Sequence, residues 1–296
     1  METNRFQPDA TILRWVQKCR SVFEEGLHLS KPPARKSTPP TDPHAPTILL
    51  FSPHPDDETI TGLLALRLKW EAGWRVVNVP VTYGRHLHRR EARKKELQEA
   101  CARLGFEILP LTEDGLEYPN IQDRETHPQE WQHGVRLIAE ALRQVHPTVI
   151  QFPHADDFHP AHRGVHAMVM DALKSMPGEW TCYTVESEFW TPIDQPNLLV
   201  EATEEHLAWI IEGVLCHEGE VARNPYHVRL PAWMADNVRR GSEVVGGAGA
   251  AAVPFAFGVV YRIRRWRNGK WEEVTLENRF VGAQESVARI FPPLNR

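Results

Sequence analysis

Apolar positions fall in blocks along most of the chain, and the blocks differ in period. Ile48-Leu49-Leu50-Phe51 is a short unbroken apolar run, the pattern of a strand buried on both faces. The leucine-rich run that follows, with Leu63, Leu64, Leu66 and Leu68, ends near Gly73 and predicts a helix. Residues 74–82 carry Val76, Val77, Val79 and Val81 and predict a second strand. A second helix is expected over 89–104, with Gly105 as its cap, and a short third strand over 107–111. After a polar loop at 118–128, residues 129–145 put Val135, Ile138, Leu142 and Val145 on one helical face. Residues 148–152 form another apolar strand. Strands alternating with helices predict an α/β fold: a mostly parallel, Rossmann-like sheet flanked by helices. No G-x-G-x-x-G follows the first strand, so a dinucleotide site is not supported.

The two ends of the chain read differently. Ile12, Trp15, Val16, Cys19, Val22, Phe23 and Leu27 recur at helical spacing, so 9–27 is an amphipathic helix ahead of the core. It either packs on its own domain or meets a second copy in a homo-oligomer. The proline-dense stretch 31–46 reads as a stiff linker. A further helix at 202–215 turns Leu207, Ile210, Ile211 and Val214 inward. Beyond a small-residue loop at 246–252, residues 255–266 and 270–276 predict a β-pair around Arg267-Asn268-Gly269. Its basic strand, with Arg262, Arg264, Arg265 and Arg267, suits a solvated sheet edge protected by charge. The division this gives is an extension at 1–46 and one domain at 47–296, with its core at 47–217 and a C-terminal β-rich addition at 218–296.

Composition narrows the class. A formal charge of −5 over 296 residues argues against a nucleic-acid partner. The four cysteines, Cys19, Cys101, Cys182 and Cys216, form no C-x-x-C pair and read as reduced core residues of a cytoplasmic protein. The first residues hold no apolar leader core. The longest uncharged run, 244–261, is rich in Gly and Ala and contains Pro254, so no membrane span is expected.

The chemistry gathers after two strands. The first runs into Pro53-His54-Pro55-Asp56-Asp57-Glu58; the strand at 148–152 leads to His154, Asp156, Asp157, His159-Pro160-Ala161-His162 and His166. Open α/β sheets bind ligands at the carboxyl ends of their strands. Two imidazoles and a carboxylate around one point form the ligand set of a catalytic zinc, with a position left for water; the same set suits Fe2+. Singly, Asp56, Asp57 and Glu58 would merely favour a helix start, and His159 and His162 would be loop histidines. Two such segments, each after a buried strand, favour the metal site. Arg85, Arg89, Arg90, Arg93, Lys94 and Lys95 crowd the start of the second helix, against its dipole. They form either a solvated basic face or a surface for an anionic substrate group.

These residues resemble the motifs of the PIG-L/LmbE-like zinc-dependent N-deacetylases. The first motif, (A/P)-H-P-D-D-E, stands as Pro53 to Glu58. The second, H-P-D-H, stands as His159-Pro160-Ala161-His162, with Ala161 where the family usually has Asp. Looser matches are Arg93, Glu96, Ala100, Leu104 and Gly105, then Thr82-Tyr83-Gly84 and Asp114-Gly115. The resemblance covers about residues 47–217. It implies an LmbE-like fold and a zinc held by His54, Asp57 and His162. It implies Asp56 as general base, and His159 as the group that stabilises the oxyanion or protonates the leaving amine. Arg93 would contact substrate, and Asp114 would bind a sugar hydroxyl at the pocket mouth. Without an Asp at 161, Asp156 or Asp157 would substitute for it; His166 would stand behind the ligands. His217 lacks the Ser-Gln that often accompanies the family's His, which leaves its role open. The activity implied is removal of an acetyl group from a small-molecule N-acetylated amino sugar or conjugate, which would be anionic under the reading that the basic cluster meets substrate. The alternatives are an amidase for another acyl or conjugate amide, and a non-catalytic descendant that binds zinc and sugar.

Overall fold

The computed structural model describes residues 7–33, 42–276 and 279–294. In chain order the elements are α1 (Ala10–Gly26), β1 (Thr47–Ser52), α2 (Asp57–Ile60), α3 (Leu63–Ala72), β2 (Arg75–Pro80), α4 (Arg90–Leu104) and β3 (Glu107–Ile108). Next come α5 (Asp123–Thr126), α6 (Pro128–Val145), β4 (Val149–Pro153), α7 (Pro160–Lys174), β5 (Thr181–Ser187) and β6 (Leu198–Ala202). The chain closes with α8 (Glu204–Val214), α9 (Glu218–Arg223), α10 (Tyr226–Gly246), β7 (Phe257–Arg267), β8 (Lys270–Glu273) and β9 (Phe280–Val281).

One sheet runs through the molecule in the order β3-β2-β1-β4-β5-β7-β6-β9, with β8 paired beside β7. The first five strands in that order are parallel neighbours, as expected from the alternation of strands and helices. Because side chains alternate along a strand, β1 feeds two cores. Ile48 and Leu50 pack with α3, α4 and α8, while Leu49 and Phe51 pack with α6 and α7. All six residues of β1 are buried, which is why its sequence is an unbroken apolar run. Strand order reverses beside β1, whose neighbours are β2 on one side and β4 on the other. The loops leaving β1 and β4 therefore separate at this switch point and open a crevice between them.

The C-terminal third differs from its expected texture. Residues 218–246 are largely helical, in α9 and α10, although Pro231 lies inside α10 and no strong pattern announced it. The hairpin forms where expected: β7 and β8 pair antiparallel, with Asn268 and Gly269 both at positive φ. But the basic strand is not an edge. β7 sits between β5 and β6, antiparallel to both. Its arginines are neutralised by residues distant in sequence: Arg264 bonds Glu186 and lies over the Trp271 ring, and Arg262 bonds Glu273 at 2.6 Å. Guanidinium stems cover apolar surface while their heads find carboxylates, so a basic strand can be interior.

At the N-terminus α1 forms, capped by Asp9. The linker's first residues are pinned, with Lys31 Nζ 2.6 Å from Glu99 and Arg103 donating to the Pro32 and Pro33 carbonyls. Its middle, 34–41, lies outside the described residues. Three cysteines are buried, but Cys19 is exposed on α1 rather than in a core. No helix among the described residues is long and apolar enough to cross a membrane.

α7 packs tightly under the 117–120 loop through Gly164. A Cβ there would run into the Pro119 carbonyl oxygen and the Asn120 backbone. Alanine gains about 1 kcal/mol of helix propensity over glycine, yet backbone cannot yield as a side chain does, so the clash wins. Gly164→Ala is expected to lower stability by about 1–3 kcal/mol in urea unfolding.

Candidate active site

The crevice beside β1 collects the residues singled out from the two motifs. Asp57 opens α2 and turns its carboxylate back: Oδ2 accepts from the His54 backbone N–H at 2.8 Å. The same oxygen lies 3.4 Å from His54 Nδ1 and 3.4 Å from His162 Nε2. Two ligands on a tetrahedral zinc stand about 3.3 Å apart, so this donor set has the spacing that a divalent metal needs. The nitrogens of His54, His159 and His162 also lie within 4.8 Å of one another, a second candidate set sharing two members with the first. The hydrogen bonding separates them. His159 caps α7, its Nδ1 accepting from the Ala161 N–H at 3.2 Å, so its proton sits on Nε2 and that atom donates. The remaining three, His54, Asp57 and His162, gather around the one Asp57 oxygen.

Asp157 supplies the carboxylate that the Ala161 position lacks, but to a different neighbour. Its Oδ1 accepts from the His159 backbone N–H at 2.8 Å and its Oδ2 lies 3.5 Å from His162 Nδ1. It therefore orients the His162 imidazole, while Asp156 is exposed. Burial alone would lower the pKa of His162, but Asp57 and Asp157 outweigh it and hold it at about 10. Burial pushes Asp57 up, and His162 and His54 overcome it, leaving Asp57 below the usual carboxylate range. Burial, with His54 and His162 alongside, lowers His159 to about 4, so its ring is neutral.

Asp56 stands in the same wall under strain. Its φ is 122°, a region that a non-glycine residue adopts only when held. The hold is a buried chain that the sequence did not reveal. The Asp56 N–H donates to Glu58 Oε2 at 2.9 Å, and Glu58 Oε1 is 2.8 Å from His217 Nε2. Glu58 is 0 % exposed and His217 is 1 % exposed. His217, whose role the incomplete family pattern left open, thus has a place beneath the site without touching the cavity. Burial and the adjacent Asp57 push the Asp56 pKa well above the ordinary carboxylate value.

Above these residues opens a cavity of about 980 Å3, lined by His54, Asp56, Asp57, His159 and His162 at one end. Arg85, Arg89, Arg90, Arg93 and Arg223 line it too, as do Tyr118, Phe189, Trp190 and Tyr226. Arg93 is braced by Glu220 at 3.1 Å and by the Tyr83 carbonyl at 3.1 Å. Asp114 does not join this lining: its side chain is 61 % exposed and pairs with Lys94 at 3.1 Å. His166 faces away, its Nδ1 3.1 Å from the Pro153 carbonyl oxygen. Phe189, Trp190, Tyr226, Glu220 and Arg223 had no signal in sequence, because they come from the 188–193 loop and the helices after residue 217.

The fold and site together define an α/β protein with a metal-type His/Asp centre at the sheet's switch point. Residues 49–173 match the family described as PIG-L: GlcNAc-PI de-N-acetylase, so the resemblance drawn from the motifs is borne out over those residues. No curated protein matches the chain. Among solved structures it is similar to the N,N'-diacetylchitobiose deacetylase of Pyrococcus horikoshii (17% identity, TM-score 0.53, covering 86% of this chain and 93% of that one). It is also similar to the 4-carboxy-2-hydroxymuconate hydratase of Pseudomonas putida KT2440 (16%, 0.56, 79% and 99%). A third is the zinc-inhibited form of teicoplanin deacetylase (14%, 0.51, 75% and 98%). These likenesses establish a shared fold, and a hydratase among them means that the fold alone does not name the reaction.

Two measurements test this description. In the metal-free protein, protonated His162 stabilises the fold: the contribution is full below pH 6.5 and is lost as pH rises through about 10. Zn2+ needs the neutral imidazole, so its addition near pH 7.5 is expected to release about one proton per site. Asp157→Asn, which lowers the His162 pKa, is expected to reduce that release in a weakly buffered titration. Second, Glu58→Ala orphans both the Asp56 N–H and His217. It is expected to cost about 2–4 kcal/mol in urea unfolding, with His217→Ala adding little on top of it.

Proposed function

We propose that the protein is a zinc-dependent hydrolase that removes an N-acetyl group from an amino sugar or sugar conjugate. One observation carries the reading: a strained, buried carboxylate, Asp56, adjoins a donor set with the spacing of a divalent metal site, at the end of a cavity large enough for a sugar. The family match and the deacetylases among the structural neighbours support it.

His54, Asp57 and His162 would hold the ion. When bound, it polarises the amide carbonyl and lowers the pKa of water toward ~7. Asp56 takes the proton of the attacking water and passes it toward the departing amine; its raised pKa suits exchange nearer neutrality than an ordinary carboxylate allows. His159, neutral and bearing its proton on Nε2, donates to the developing oxyanion. Products are acetate and a free amine. Arg93, with the other four arginines of the lining, supports an anionic group on the substrate. Asp114 reaches a sugar hydroxyl only for a substrate long enough to leave the cavity. The free cysteines support a reducing compartment such as the cytoplasm, and residues 1–46 are taken as an extension to a single domain at 47–296.

The test is acetate release from N-acetylglucosamine, its phosphates and its oligomers, using metal-loaded protein, metal-stripped protein and Asp56→Asn. Release is expected only with metal, and Asp56→Asn is expected to lower kcat by about a hundred- to ten-thousand-fold with zinc still bound. Release of a longer acyl group alone would favour the amidase reading. Full zinc occupancy with no turnover of any amide would favour a binding protein.

A further inference from the structure

α1 presents a structural contradiction that a second molecule resolves. None of its 17 residues is buried, although it carries an apolar stripe. Ile12, Trp15, Val16 and Val22 are each at least half exposed, Trp15 at 65 %. The helix touches its own body only at its C-terminal end, where His227 meets the Gly26 carbonyl at 3.1 Å and Arg229 lies over the Phe23 ring. Nothing among the described residues covers the rest. A lone helix of this length is marginal in water, and this one has its charges reversed. Arg14 and Lys18 lie toward its positive N-terminal end and Glu24 and Glu25 at its negative C-terminal end.

Both faults vanish if the helix pairs with itself head to tail. About Cys19, the stripe falls at steps of three, four and seven residues in each direction: Val16, Trp15 and Ile12 one way, Val22, Phe23 and Gly26 the other. An antiparallel copy centred there sets Trp15 against Phe23 and Val16 against Val22. It brings Arg14 beside Glu24 of the other copy, where Glu24 already bonds Arg20 of its own helix at 2.7 Å and so becomes shared between two arginines; Lys18 meets Arg20 at the axis, but the acidic end of one helix lies along the basic end of its neighbour. A parallel pair would set like charges together. A bilayer fits less well, since amphipathic helices that lie on membranes have strongly basic polar faces, whereas α1 carries three basic and two acidic residues. We propose that α1 is the contact surface for a second copy of this chain, the two helices crossing antiparallel about a two-fold axis beside Cys19.

Cys19 is an exposed cysteine on this axis, while Cys101, Cys182 and Cys216 are buried, so the chain carries its own probe. The full-length protein is expected to sediment as a dimer and to crosslink through a short bis-maleimide, with Cys19→Ser abolishing the crosslink. Trp15→Glu is expected to raise the dimer Kd at least about tenfold, with unchanged circular dichroism. In the Cys19→Ser background, Arg14→Cys mixed with Glu24→Cys is expected to crosslink, and neither variant alone. A monomer at every concentration overturns the proposal, as does a monomer that cosediments with anionic phospholipid vesicles. A dimer indifferent to Trp15→Glu, or self-crosslinking of Arg14→Cys alone, overturns it as well.

Discussion

A carboxylate taken out of water must find compensating charge, and much of this molecule is arranged so that Asp57 does. Two imidazoles face its Oδ2, one three residues back in the same turn and one from the far side of the switch point. The second needs its own anchor, which Asp157 provides. The contact between His162 and Asp57 exists only because β1 and β4 are adjacent, and their register brings Ile48, Leu49 and Leu50 beside Val149, Ile150 and Gln151. The apolar strands that look like plain core are thus the positioning device: bury them in this order and the two loops meet. Under the proposed function the same group would hold a metal ion, which would take the place of the His162 proton.

The same dependence explains what could be read from sequence. The parallel half of the sheet was legible because buried parallel strands are apolar runs and their helices keep a 3.6-residue period. The site was legible in its motif residues because His, Asp and Pro at strand ends have few other reasons to gather. The Glu58–His217 contact was not, because each partner is unremarkable alone and 159 residues separate them. Asp56 gave no sign of its backbone strain, which arises from what surrounds it. Asp114 was read by resemblance as a pocket-mouth residue, but its exposed carboxylate pairs with Lys94, because the Asp-Gly pair says only that the chain turns there. The arginines of β7 misled because charge says where a side chain's head must go, not where its stem lies.

The cavity divides into a part that any member of such a fold needs and a part that belongs to this chain. The metal-type residues come from the ends of β1 and β4. The aromatic and basic lining comes from the 188–193 loop, the start of α4, and α9 and α10. The loop is fixed independently, with Glu188 accepting from the Ile193 N–H at 2.6 Å and held by Arg240. The outer lining and the His/Asp centre thus rest on separate supports, so one can change while the other is kept.

The position of β7 bears on how the chain is made. Among the described residues β6 pairs only with β7 and β9, and the far edge of β5 is also covered by β7. Both covering strands lie near the end of the chain. As the protein leaves the ribosome, residues up to 246 emerge with two strands still bare, one of them the end of an otherwise finished parallel sheet. Open strand edges are templates for pairing with other chains. The nascent chain therefore carries its greatest exposure to aggregation until residues 257–267 slot between the two strands and close the sheet.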